Sequence, residues 1–120
     1  MSTVPSIVDG VSLTGEHAVV TGGSSGIGRC TARTLASAGA AVSVLDVRER
    51  PDGGGEPTAT TVRDAGGEAA FVEADVTRAD DVESAVEEAE SRFGPVSLLV
   101  NNAGVNHLGR VDEVGLDEWD

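Results

Sequence analysis

Thr21-Gly22-Gly23-Ser24-Ser25-Gly26-Ile27-Gly28 is the stretch of sequence that decides the fold. It follows a short apolar run at 17–20 and precedes a segment with helical spacing. A strand, a glycine-rich turn and a helix in this order present backbone N–H groups and a helix N-terminus to a phosphate. A sharp turn, a close approach by a pyrophosphate and close packing of the helix on the sheet all favour glycine. Glycine is present here at Gly22, Gly26 and Gly28.

Strand and helix patterns alternate along the rest of the chain. Strands are predicted at 17–21, 41–46, 68–74 and 96–101, with helices at 26–38, 57–65 and from 77 onward. This β-α-β-α-β-α-β order predicts an α/β fold with a parallel sheet and helices on both faces. The strand order 3-2-1-4 is the first part of a doubly wound fold. Residues 1–15 are predicted to be a lead-in arm, and residues 16–120 a single domain.

The third helix is predicted to begin at Thr77, with Asp80 three residues later in a capping-box-like pattern. The apolar residues of one face are Val82, Ala85, Val86, Ala89 and Phe93. Acidic residues fall largely on the rest of the helix and are interpreted as a solvated face rather than a metal site. A last helix is predicted from about residue 115 and would carry Trp119.

Polar residues follow three of the predicted strands. Asp46 ends the second strand, 18 residues after Gly28, where a carboxylate can accept hydrogen bonds from an adenosine ribose diol. The residues after the third and fourth strands are Asp75, Val76, Asn102, Ala103 and Gly104. All are predicted to lie with the glycine turn around one crevice, at the switch point between strands 1 and 4. The turn lacks the Gly-Lys-Ser/Thr ending of a P-loop.

Eight basic and 21 acidic residues give the 120-residue chain a net charge of −13, and all eight basic residues are arginines. So acidic a surface repels nucleic acid and anionic membranes, which excludes both as expected partners. A lysine-free, acidic composition favours a protein of a salt-loving organism, in which salt screens the self-repulsion. The alternative is ordinary acidic surface decoration.

Cys30 is the only cysteine, which excludes an intramolecular disulfide and favours a reducing compartment. We interpret this thiol as buried and inert rather than nucleophilic. The first 15 residues lack the pattern of a signal peptide, and no apolar run is long enough to span a membrane. The sequence therefore predicts a soluble, cytoplasmic protein.

The glycine turn, the Asp75-Val76 pair and Asn101-Asn102-Ala103-Gly104 together resemble the simple branch of the short-chain dehydrogenase/reductase family. The resemblance runs from about residue 11 to residue 119 and implies a Rossmann-type fold. It also implies that the dinucleotide is bound by Gly22, Ser24, Ser25, Gly26, Ile27, Gly28, Asp46, Asp75, Val76, Asn102, Ala103 and Gly104. The resemblance further implies that Asn101 helps to hold the central strands together and that Asp75 and Val76 flank the adenine. Loop capping is the alternative for Asp75 and Asn101.

NAD is the favoured cofactor, and NADP is the alternative. A carboxylate at Asp46 would repel a 2′-phosphate, and Ser25 stands where NADP-using relatives often carry a basic residue. Arg48 and Arg50 lie close enough in sequence to bind such a phosphate if they turn toward it.

Hydride transfer in the family uses a tyrosine, with a lysine, a serine and an asparagine, to act on a carbonyl or alcohol. This chain contains no tyrosine and no lysine, so no catalytic residue is assigned, and neither His17 nor His107 is assigned as a replacement. No metal site is assigned, because the two histidines and the one cysteine lie far apart in sequence. We expect the chain to be the cofactor-binding half of such an oxidoreductase, inactive alone. Binding of a small-molecule substrate would then require the other half of the oxidoreductase. A free-standing, non-catalytic nucleotide-binding or regulatory module is the alternative. The outer edge of the fourth strand is a candidate surface for self-association.

Overall fold

The computed structural model describes residues 12–102. The elements are β1 His17–Thr21, α1 Gly26–Ser37, β2 Ala41–Asp46, α2 Thr58–Asp64, β3 Ala69–Glu73, α3 Ala79–Phe93 and β4 Leu98–Asn101. Residues 1–11 and 103–120 lie outside the described part of the chain. The predicted last helix, with Trp119, and most of the predicted arm therefore fall outside it as well.

The four strands form one parallel sheet in the order β3-β2-β1-β4, which confirms the predicted topology. Val19 of β1 lies beside Ser43 of β2 on one side and beside Leu99 of β4 on the other. β1 is consequently central, and all five of its residues are buried. Its carboxyl end meets the ends of its two neighbours at one edge of the sheet, which is where the glycine turn leaves β1.

Alternate residues of the strands belong to two separate apolar layers, one on each face of the sheet. Val20 and Val44 pack on one face of the sheet against Ala32 of α1 and Val62 of α2. Val19 packs on the other face, against residues of α3. The buried residues of α3 are Val82, Ala85 and Ala89. Helices thus cover both faces, as predicted for parallel strands that are apolar on consecutive positions.

The predicted start of the third helix is wrong. No capping box forms at Thr77, because its hydroxyl and its N–H both donate to Asp75; α3 begins at Ala79 instead. In α1 the buried residues are Gly28 and Ala32, whereas Ile27 is 76 % exposed. Small residues face the sheet there, since α1 lies close to it.

His17 lies at the opposite end of β1 from the glycine turn. Its Nδ1 donates to the carbonyl of Gly94 over 2.9 Å, and its Nε2 lies 2.8 Å from the hydroxyl of Ser43. Its ring also packs edge-on against Phe93 at a centroid distance of 5.4 Å. This buried histidine therefore ties β1 and β2 to the end of α3, far from the strand ends where a ligand site was predicted.

No helix within residues 12–102 is long and apolar enough to cross a membrane.

Candidate functional site

The glycine turn needs glycine at two positions for its backbone conformation. Gly22 has φ +65° and Gly26 has φ +57°, both in the left-handed region that residues with a Cβ rarely adopt. A Cβ at Gly26 would have no atom within 4 Å, so the space beside this backbone is open. Open backbone at the start of a helix is what a phosphate group requires in order to approach the N–H groups.

Gly28 is required for a different reason, which is the close approach of α1 to the strand ends. A Cβ at this position would overlap the carbonyl of Gly22 and lie 2.7 Å from Nδ2 of Asn102. The first turn of α1 therefore sits directly against the glycine turn and the residue that follows β4. The sequence predicted this packing role.

The N-terminus of α1 is suited to an anion. Ser25 occupies the N-cap position with extended backbone, but its side chain makes no capping hydrogen bond, and the first turn contains no acidic residue. The first N–H groups of a helix have no partner within the helix, and they carry the positive end of its dipole. Ile27 lies exposed on the same turn, at a position suited to apolar contact with a ligand.

Asp46, at the end of β2, reaches the glycine turn. Its Oδ2 accepts a hydrogen bond from the N–H of Ser24 over 3.1 Å, and its Oδ1 accepts one from the N–H of Val47 over 2.8 Å. Each carboxylate oxygen retains a lone pair beyond these bonds. The predicted ribose-binding carboxylate and the predicted phosphate-binding turn are thus in direct contact.

The hydroxyl groups of Ser24 and Ser25 are used within the protein. Ser24 is buried, and its Oγ donates to the carbonyl of Arg48 over 2.6 Å, while the N–H of Asp52 donates to Oγ of Ser25 over 2.6 Å. Both bonds tie the loop between β2 and α2 onto the glycine turn. The backbone of residue 24, rather than its side chain, is the part that faces Asp46.

Asp75 lies two residues beyond β3, and it is placed beside the site because the N–H of Ala74 donates to the carbonyl of Asp46 over 3.0 Å. The hydroxyl and then the N–H of Thr77, together with the charge of Arg78, hold the pKa of Asp75 below its usual range. Val76 packs against the apolar layer under α3. The side chain of Asp75 thus performs the loop capping that was the alternative interpretation.

Asn102 is the only residue of the predicted Asn-Ala-Gly group within the described residues; Ala103 and Gly104 lie outside them. The N–H of Asn102 donates to the hydroxyl of Thr21 over 2.9 Å, and that hydroxyl also lies 3.0 Å from Oδ1 of Asn101. Thr21 and Asn101 are paired across β1 and β4. These contacts hold the two central strands together at their carboxyl ends, the role predicted for Asn101.

Sequence reasoning missed three residues around the turn. Gly23 is buried, and a Cβ there would lie 2.9 Å from Cγ1 of Val44. Thr58, the first residue of α2, donates its hydroxyl hydrogen to the carbonyl of Gly23 over 2.7 Å, and Arg29 donates to Thr58 over 3.0 Å. No local pattern marks Thr58, because its partner lies 35 residues away in sequence.

A cavity of about 650 Å³ lies between α1 and α2. Gly26 is at its rim, and Cys30 and Arg33 line it. Cys30 is exposed, which contradicts the interpretation of a buried thiol. Within residues 12–102 no three histidine, cysteine, aspartate or glutamate side chains are grouped so that they could hold a metal ion.

A glycine turn at the start of a helix, in contact with a carboxylate at the end of the neighbouring parallel strand, is the arrangement found in dinucleotide-binding α/β domains of the doubly wound class. The sequence of residues 16–120 matches the short chain dehydrogenase family. The chain therefore belongs to that family of NAD(P)-dependent oxidoreductases.

Named relatives agree with this assignment. Momilactone A synthase of Oryza sativa subsp. japonica is 43 % identical over 99 residues, covering 82 % of this chain and 34 % of that protein. Cis-4-hydroxycyclohexanecarboxylate dehydrogenase of Sinomonas cyclohexanicum is 48 % identical over 88 residues, covering 73 % of this chain and 34 % of that protein. The chain thus spans about a third of the length of each relative.

Solved structures show the same fold. A dehydrogenase/reductase from Sinorhizobium meliloti 1021 superposes with a TM-score of 0.72 at 35 % identity, covering 95 % of this chain and 44 % of that one. A hydroxysteroid dehydrogenase from Escherichia coli gives a TM-score of 0.69 at 33 % identity, covering 80 % and 40 %.

Proposed function

We propose that this chain provides the dinucleotide-binding part of an NAD-dependent short-chain oxidoreductase, which transfers a hydride between nicotinamide and a carbonyl or alcohol. One observation carries the proposal: the carboxylate of Asp46 bonds the N–H of Ser24, so the carboxylate and the phosphate-binding turn form one site. Gly22, Gly26, Gly28 and the uncapped start of α1 would hold the pyrophosphate.

The remaining predicted residues would complete the site around the same edge of the sheet. Asp75 and Val76 would flank the adenine. Asn102, with Ala103 and Gly104, would line the ribose and nicotinamide side. Ile27, exposed on the first turn of α1, would contact the cofactor through its apolar side chain. The nicotinamide would supply the hydride chemistry, and the residues of this chain would bind and orient it.

NAD is proposed over NADP because the surroundings of Asp46 favour a diol rather than a phosphate. The two nearby arginines are engaged within their own loop: Arg48 pairs with Asp52 over 3.1 Å, and Arg50 donates to the carbonyl of Gly55 over 3.0 Å. The Arg48–Asp52 pair is exposed, so it is weak, and a 2′-phosphate that displaced it would make NADP the cofactor.

This chain matches about a third of the length of the named relatives. We propose that the catalytic groups are supplied by sequence that corresponds to the rest of those proteins. The 120 residues contain neither tyrosine nor lysine, the acid/base pair that the family resemblance implies. We therefore propose that this chain binds the cofactor but does not turn over a substrate unless a Tyr-x-x-x-Lys segment is supplied. We also propose that the protein is cytoplasmic. A salt-rich cytoplasm is proposed because the chain has a net charge of −13.

Self-association is proposed through β4. Among the described strands the neighbour of β4 is β1, and all four residues of β4 are half-buried. An apolar strand at the edge of a sheet favours pairing with a second copy. Sedimentation in high salt should show a dimer, and a monomer at all concentrations would contradict this part of the proposal.

The test is calorimetric titration of the chain with NAD and with NADP, repeated on Asp46→Ala. We expect NAD to bind more tightly than NADP, and Asp46→Ala to weaken NAD about tenfold, because charge-assisted hydrogen bonds to the ribose are lost. Asp64→Ala is the matched control, since Asp64 is an exposed carboxylate on α2, and it should change neither affinity. Equal binding of both cofactors by the unchanged chain would overturn the role of Asp46, and binding of neither would overturn the proposed function.

A further inference from the structure

The peptide group between Gly23 and Ser24 is held at both ends by side chains. Its carbonyl accepts the hydroxyl hydrogen of Thr58 over 2.7 Å, and its N–H donates to Oδ2 of Asp46 over 3.1 Å. A peptide group is planar, so its two ends turn together. A rotation of the peptide plane that lengthens the bond to Thr58 therefore also changes the position of the N–H relative to Asp46.

The hydroxyl of Thr58 has only one orientation that satisfies its neighbours. Arg29 donates from one guanidinium nitrogen to Oγ1 of Thr58 over 3.0 Å and to the carbonyl of Glu56 over 2.8 Å. Arginine has no acceptor, so Thr58 must accept from Arg29 and direct its single hydrogen to Gly23. The other terminal nitrogen of Arg29 donates to Oγ1 of Thr61 over 3.0 Å.

This contact is buried, and the turn has no room to relax away from it. Thr58 is 1 % exposed and Ser24 is 2 % exposed. A Cβ at Gly23 would lie 2.9 Å from Cγ1 of Val44 and 3.2 Å from the carbonyl oxygen of Val20, so the turn already lies against β1 and β2. Lost hydrogen bonds to buried backbone groups are not replaced by bulk water.

We propose that Thr58, supported by Arg29, is a positioning residue for the dinucleotide site. Thr58 touches no ligand; it aims the Gly23–Ser24 peptide so that the Ser24 N–H fixes the carboxylate of Asp46 in the orientation that accepts a ribose diol. The inference rests on the proposed function, and it adds that the preference for NAD over NADP is set in part from the first turn of α2.

Thr58→Val tests this directly, because valine keeps the shape of threonine and removes the hydroxyl. Thr58→Ser keeps the hydroxyl and should restore the behaviour of the unchanged chain. Thr61→Val is the matched control: Thr61 also accepts from Arg29, but it makes no bond to the glycine turn. A purely structural effect of losing a threonine partner of Arg29 would appear equally in both valine variants.

The first readout needs no cofactor. Hydrogen exchange of the Ser24 amide, followed by NMR, should be roughly three- to tenfold faster in Thr58→Val, the size expected for one lost hydrogen bond. Thr58→Ser and Thr61→Val should leave this rate near that of the unchanged chain. An unchanged Ser24 rate in Thr58→Val, or an equal increase in Thr61→Val, would overturn the inference.

The second readout is the ratio of the NAD and NADP dissociation constants. Thr58→Val should reduce the preference for NAD by roughly three- to tenfold, and Thr58→Ser should recover it. A normal preference together with faster Ser24 exchange would overturn the link to Asp46. If the unchanged chain binds neither cofactor, the proposed function is overturned, and so is the role of Thr58 in cofactor preference. Exchange of the Ser24 amide would still show whether Thr58 orients the Gly23–Ser24 peptide.

Arg29→Lys provides a second variant if Thr58→Val does not fold. Lysine keeps the positive charge but loses the planar fork that reaches Thr58 and Thr61 together. Ser24 exchange should then be faster and the NAD preference smaller, in the same direction as for Thr58→Val. A lysine variant with unchanged exchange and preference would count against the supporting role of Arg29 and overturn the proposal as stated.

Discussion

Replacement of Gly28 by alanine is expected to disrupt the cofactor turn through a steric clash. The new Cβ would overlap the carbonyl of Gly22 and lie 2.7 Å from Nδ2 of Asn102. Gly22 cannot move away easily, because its N–H donates to the carbonyl of Leu45 over 2.8 Å and its φ of +65° is part of the turn. The clash is with backbone, so relief requires a shift of α1 itself.

The size of the effect follows from two opposing terms. Overpacking costs about 1–3 kcal/mol, and a backbone clash falls at the upper end of that range. Alanine in place of glycine in a helix returns up to about 1 kcal/mol. We therefore expect Gly28→Ala to lower the free energy of unfolding by about 2 kcal/mol. In urea denaturation this corresponds to a midpoint lower by about 1 M.

Gly26→Asn is the matched control in the same turn. A Cβ at Gly26 has open space around it, and asparagine tolerates a left-handed φ better than other residues with a Cβ. The control should cost about 1 kcal/mol, which is less than the cost expected for Gly28→Ala. Wild-type stability in Gly28→Ala, or an equal loss in Gly26→Asn, would refute the steric reasoning.

Three further predictions concern stability. His17→Ala should lower the free energy of unfolding by about 3 kcal/mol, because it removes a buried ring and its bonds to Gly94 and Ser43; a loss below about 1 kcal/mol in urea denaturation would contradict this. The hydrogen bonds of Asp75 to Thr77 should stabilise the fold at pH values above the ordinary carboxyl pKa of 3.8. This stabilisation should be lost as the pH falls through the lowered pKa of Asp75. In an NMR titration, Thr77→Val should return that pKa toward 3.8. Molar KCl should raise the melting temperature, because salt screens a net charge of −13; a melting temperature independent of salt would count against the salt-adapted interpretation.

The fold could be predicted from the sequence because its determinants are local. β1 is a consecutive apolar run that ends at a glycine turn, and Gly39, with φ +109°, directly follows the C-cap residue of α1. The start of α3 could not be predicted, because two local options compete for Thr77 and the bond to Asp75 is the one formed.

The candidate site was predicted only in part, because its support comes from residues distant in sequence. Asp46 and the glycines are recognisable by spacing from one another. Thr58 reaches Gly23 across 35 residues, and His17 reaches Gly94 across 77, so neither contact leaves a local pattern. Ser24 was predicted to bind the cofactor, yet its hydroxyl is bonded to the carbonyl of Arg48, which only the position of the loop decides.

The central claim, that the strand-end edge of this sheet is a dinucleotide site, is tested most directly by mapping the backbone amide chemical shifts of the chain during titration with NAD. The largest changes are predicted at Gly22–Gly28, with further changes at Asp46 and Asn102. Shifts confined to the groove between α1 and α2, around Cys30 and Arg33, or no shifts at all, would contradict the account.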